Sequence, residues 1–111
     1  MSVEQMLKGL QKDYINSLPD KIADIQKFVR DGATADLRNS FHKLKGTGQT
    51  YGIPEITQLA ATMENICLHS PAKLPTAAKY AISILMDIST ARRADKDFDI
   101  KQDPRFLKLS Q

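Results

Sequence analysis

Apolar residues recur at spacings of three and four along most of this chain, and Gly and Pro cut the recurrence into stretches of helix length. Strands would need alternation of period two, and no convincing run of it occurs. Amphipathic helices joined by short breakers must bury their apolar stripes against one another. The expected fold is therefore all-α, an antiparallel four-helix bundle. The 111 residues fit one compact domain whose core needs neither disulfide nor metal.

The first helical region runs from about Val3 to Arg30, with Leu7, Leu10, Tyr14 and Leu18 on one stripe and Ile22, Ile25 and Val29 continuing it. Pro19 lacks the N–H that would bond Ile15, so the region is either two helices or one bent at Pro19. Asp31-Gly32 supplies the stop. Thr34 suits the N-cap of the next helix. Its stripe is Leu37, Phe41, Leu44, Gly48 and Tyr51, and Gly52 ends it. Pro54 opens a third helix with Ile56, Leu59, Met63 and Ile66 inward and Cys67 beside them, and Ser70-Pro71 breaks it. Pro75 opens a fourth, with Ala78, Ala81, Ile82, Leu85 and Ile88 inward and Arg92-Arg93 in a last turn where cations suit the macrodipole. These four helices make a domain over 1–94. From Asp95 the periodicity fades. Asp103-Pro104 argues for an irregular tail over 95–111, partly docked through Phe98, Ile100, Phe106, Leu107 and Leu109.

The chemistry sits on the second helix. At 100° per residue His42 lies on the flank of the apolar stripe, and Arg38, His42, Lys45 and Gln49 form a polar row beside it. An imidazole with a free lone pair can attack a phosphoryl group near neutral pH. Lys45, one turn on, can offset the charge of the phosphoryl oxygens. Glycine inside a helix costs about 1 kcal/mol against alanine, and Gly46 and Gly48 accept that twice. Gly46 removes the side chain that would cover the imidazole, and Gly48, on the buried stripe, allows close helix packing.

No acidic residue lies between Asp36 and Glu55, while Arg38, Lys43 and Lys45 do, so the His42 segment is locally positive in a chain of net charge only +3. That favours an anionic ligand or an acidic partner surface. Aromatic–basic interleaving of a nucleic-acid site is absent. No apolar run is long enough to cross a bilayer, and the N-terminus lacks a secretory pattern. A single cysteine, Cys67, fits a reducing compartment and a cytoplasmic home. His69 closes the third helix without a lysine or glycine at the spacing His42 has, and reads as structural. Two distant histidines and one cysteine form no metal set, and no cofactor is expected. No phosphate loop or kinase motif is present, so the chain cannot phosphorylate itself from ATP. No long exposed apolar patch is evident, which makes a monomer the default.

The run His42-Lys43-Leu44-Lys45-Gly46, with Gly52 ten residues after the histidine, resembles the H-x-x-K-G signature of histidine-containing phosphotransfer (HPt) domains. Leu18-Pro19, Asp31-Gly32 and Leu37-Arg38 upstream are similar too, and the resemblance covers about residues 10 to 70. It implies that His42 is the phosphoacceptor through Nε2, that Lys45 steadies the phosphoryl group and that Gly46 keeps the face open. It also brings in Glu64. In the related domain of chemotaxis kinases a glutamate in a Met-Glu-Asn context bonds the histidine Nδ1, and here that context is Met63-Glu64-Asn65. The implied role is a free-standing carrier in a two-component phosphorelay, exchanging phosphoryl groups with receiver domains of response regulators or a hybrid sensor kinase. Any divalent metal would come from the receiver. Arg38 and Gln49 would touch the partner, and Tyr51, Ile53 and the edge of the Ile15–Ile25 region are candidates for its apolar contact. The alternative is a helical adaptor that binds signalling partners without phosphotransfer.

Overall fold

Two short turns, each closed by a glycine in the left-handed region, reverse the chain between the first three main helices. The computed structural model describes residues 2–111. Its main helices are α1 (Val3–Arg30), α2 (Thr34–Thr50), α3 (Pro54–His69) and α4 (Leu74–Arg93), followed by a short α5 (Pro104–Leu109). Gly32 and Gly52 have φ of +64° and +69°. At Gly32 the chain reverses with Ala33 N–H bonding Phe28 O at 2.9 Å, and at Gly52 with Ile53 N–H bonding Gly48 O at 2.8 Å. Both are six-to-one closures of the kind that ends a helix at a left-handed residue. Asp95, φ 57°, closes α4 the same way through Lys96 N–H to Ala91 O at 2.9 Å.

With connections this short, neighbours in sequence are antiparallel neighbours in space. Tyr14 meets Thr47 and Gln11 meets Tyr51 across α1 and α2. His42 meets Glu64 across α2 and α3, while Gly48 abuts Thr57. The core between the four helices is Leu18, Ile25, Phe41, Ile56, Leu59, Met63, Ile84, Leu85 and Ile88, all fully buried.

Several details differ from the sequence expectation. Pro19 does not split α1, which is one helix. Pro19 itself is exposed, and the helix runs through it with only the one backbone bond to Ile15 missing. Thr34 is not the N-cap. Ala33 takes that place without a side-chain hydrogen bond, because the turn at Gly32 delivers the chain straight into the helix. Leu7 and Leu10 do not join the core. Twenty-eight residues make α1 about 42 Å long, while the 17 of α2 span about 26 Å, so the first turns of α1 outrun their neighbours. Val3, Met6, Leu7 and Leu10 there are exposed, an apolar stripe that the sequence reading did not anticipate.

The segment after Asp95 is more ordered than an irregular tail. Asp103 is an N-cap, accepting from Arg105 N–H at 2.9 Å, and Pro104 takes the first turn of α5. An Asp-Pro pair ends one extended segment and starts a helix equally well, and here it does the second. Ile100 and Leu109 are buried and Phe98 and Phe106 pack against the core. Arg105 fastens α5 to α4, bonding Ser83 Oγ at 2.6 Å and Asp87 at 2.8 Å while it also holds Asp103 at 2.7 Å.

Candidate functional site

Helix α2 buries Leu37, Phe41, Leu44 and Gly48 against its neighbours, and this fixes the azimuth of everything else on it. One step round from Phe41, His42 is left with 69% of its side chain in solvent. Across the α2–α3 seam, Met63 and Ile66 bury their side of α3 and leave Glu64 facing His42. The two side chains meet: His42 Nδ1 lies 2.8 Å from Glu64 Oε2. The other carboxylate oxygen accepts from Lys45 Nζ at 3.0 Å. Glu64 thus clasps the histidine and the lysine from the next helix, one oxygen each.

Burial acts to raise the Glu64 carboxyl, but the hydrogen bonds and charges of Lys45 and His42 outweigh it and hold the group below the usual carboxylate range. A depressed carboxyl keeps its interactions above the unfolded value and loses them only as pH falls through the folded one, so the clasp is intact across the neutral range. An ionised Glu64 can only accept. A neutral His42 must then carry its proton on Nδ1, which leaves the Nε2 lone pair pointing away from Glu64.

Gly46 and Gly48 have opposite surroundings. A Cβ on Gly46 would meet nothing within 4 Å. A Cβ on Gly48 would come 2.7 Å from Thr57 Oγ1, 3.0 Å from Thr57 N and 3.1 Å from Ile56 Cγ2. Packing requires Gly48 and does not require Gly46. Thermal melts are expected to separate them. Gly46→Ala raises stability by about 1 kcal/mol through helix propensity. Gly48→Ala lowers it by about 1–3 kcal/mol, because two backbones must part.

Arg38 and Gln49 are exposed on α2, on either side of His42, and Arg38 pairs with no carboxylate among the described residues. Tyr51 is half-buried, its ring stacked on Tyr14 at 5.0 Å between centroids. Ile53 is fully buried, so it offers no docking surface; the turn at Gly52 folds it inward to cover the bundle end. The edge of the Ile15–Ile25 region fares no better, since Ile15, Leu18, Ile22 and Ile25 are all buried. The exposed apolar residue beside the site is instead Leu68, one turn beyond Glu64, which the α2–α3 register places across from Arg38. Its signal in the sequence is a leucine that falls outside the buried stripe of α3. His69 is exposed at the end of α3, away from the cluster. Cys67 is a buried free thiol.

Among the described residues no helix is long and apolar enough to cross a membrane, and no cluster of three or more His, Cys, Asp or Glu could hold a metal. Residues 9–94 match the family described as the Hpt domain. No curated protein and no solved structure matches the chain.

Proposed function

Because the chain belongs to the Hpt domain family, we propose that it is a free-standing phosphohistidine carrier that takes a phosphoryl group from one receiver domain, or from a hybrid sensor kinase, and delivers it to another in the cytoplasm. The observation that carries this reading is the clasp of His42 and Lys45 by Glu64. In the neutral ring it puts the proton on Nδ1 and leaves Nε2 free to attack, on an imidazole 69% exposed with a cation one turn away.

The step runs as follows. Nε2 of His42 attacks the phosphorus of an aspartyl phosphate. The P–N bond forms as the P–O bond to the aspartate breaks, and the aspartate leaves as a carboxylate. Nδ1 keeps its proton, and the positive charge that the ring gains is offset by Glu64 at 2.8 Å. Lys45 is about one-third exposed, so it can turn from Glu64 toward the incoming oxygens. Gly46 leaves the approach clear. Delivery is the same step in reverse.

Arg38 and Gln49 extend the polar row over which an acidic receiver pocket would sit, and Leu68 supplies the apolar contact beside it. Residues 95–111 fold back on the bundle, which supports reading them with this domain.

The test is label transfer from a phosphorylated receiver domain, or from a hybrid kinase with ATP. Acid-labile, base-stable label on the protein is the expected result. Receiver binding with no label at any time would replace the relay with the adaptor reading.

A further inference from the structure

A cleft of about 860 Å³ opens between the end of α3, the start of α4 and the inner face of α5. Its size is that of a small-molecule site. Its floor is apolar, made by Ile66, Ala77 and Leu109, each buried at its base. Its walls are polar, and both charged side chains in them are cations: Lys73 enters from the turn before α4 and Lys108 from α5, with Gln111 beside them. Lys108 Nζ stands 5.7 Å from the centroid of the Tyr80 ring, so one cation is already held at the mouth.

The site is separate from His42. It uses Asn65 and Ile66, while Glu64 points toward α2. Its outer wall, Lys108 and Leu109, lies beyond the residues 9–94 that match the family. The wall exists because Arg105 pins α5 to Ser83 and Asp87.

We propose that the α3–α4–α5 cleft binds a small organic anion with an apolar body, the body on Ile66, Ala77 and Leu109 and the charge between Lys73 and Lys108. This does not depend on phosphotransfer at His42. Two probes of one shape separate charge from greasiness: naphthalenesulfonate and the neutral naphthol, titrated into the full chain while amide resonances are followed by NMR. Saturable shifts at Asn65, Tyr80 and Leu109 with the sulfonate are expected. Lys73→Gln combined with Lys108→Gln should weaken the sulfonate by about tenfold, the size of two part-screened charge contacts, and leave naphthol nearly unchanged. Thr76→Trp, an exposed change at the cleft, should block both probes. Naphthol binding as tightly as the sulfonate, shifts confined to the exposed stripe of α1, or an unchanged affinity in the double variant would each overturn the proposal.

Discussion

His42→Gln is expected to bring the label received from a phosphorylated receiver down to background, while His69→Gln leaves it untouched. Glutamine keeps much of the size and hydrogen bonding of the ring but has no nitrogen lone pair able to form a phosphoramidate. His42 is 69% exposed, so the substitution should leave the fold alone, and unchanged circular dichroism checks this. The neighbours should grade below it. Lys45→Ala and Glu64→Gln slow transfer by about tenfold each, less than the hundredfold or more seen for donors in water-excluded sites, because this cluster faces solvent. Their combination should fall short of the product, since both act through one carboxylate–lysine–imidazole unit. Label that persists in His42→Gln would sink the assignment.

Different parts of this arrangement were legible in the sequence to different degrees. The limits of α2 and α3 could be read from Gly32, Gly52, Pro54 and Ser70-Pro71 because each acts through local backbone geometry. The flank position of His42 followed from the period of Leu37, Phe41 and Leu44. Contact between His42 and Glu64 is another matter. It depends on the register of α2 against α3, which is set where Gly48 lets Thr57 approach, and no local rule states that register. Glu64 entered only through resemblance to a family context. Periodicity also says which face of α1 is apolar but not how far a neighbour extends along it, so Leu7 and Leu10 were assigned to a core that ends before reaching them. Ile53 was a candidate for the apolar docking contact, and the turn at Gly52 folds it inward instead.

The second large effect lies where sequence reading saw only ordinary helix-end charges. Glu55 is 3% exposed and accepts from Arg92 twice, at 2.7 and 3.0 Å, and from Phe98 N–H at 3.1 Å. It joins α3, the end of α4 and the start of the C-terminal segment in one bidentate pair. Burial pushes its carboxyl up, but the Arg92 bonds and the backbone donors overcome that and hold it below the ordinary range. Glu55→Gln leaves the Arg92 guanidinium, only 18% exposed, with no buried counter-charge and only the 90% exposed Asp97 at 3.3 Å. The expected loss is about 3 kcal/mol at neutral pH, read from the urea midpoint. Its pH dependence has a definite sign. Because the folded carboxyl is depressed, the wild-type advantage is complete above the unfolded carboxylate pKa of about 4.3 and disappears as pH falls through the lower folded value, so the two proteins should converge in acid. The variant should also release the clamp on Phe98, exposing Lys96 and Lys101 to trypsin while α1 to α4 stay protected. Arg105→Ala separates the two consequences. It frees α5 from Asp87 and Ser83 but leaves Glu55 with Arg92, so it should cost about 1 kcal/mol and loosen only the segment beyond Asp103. A Glu55→Gln protein as stable as wild type at neutral pH would mean that the pair only offsets its own desolvation, and that apolar contacts of Phe98, Ile100 and Leu109 hold the C-terminal segment in place.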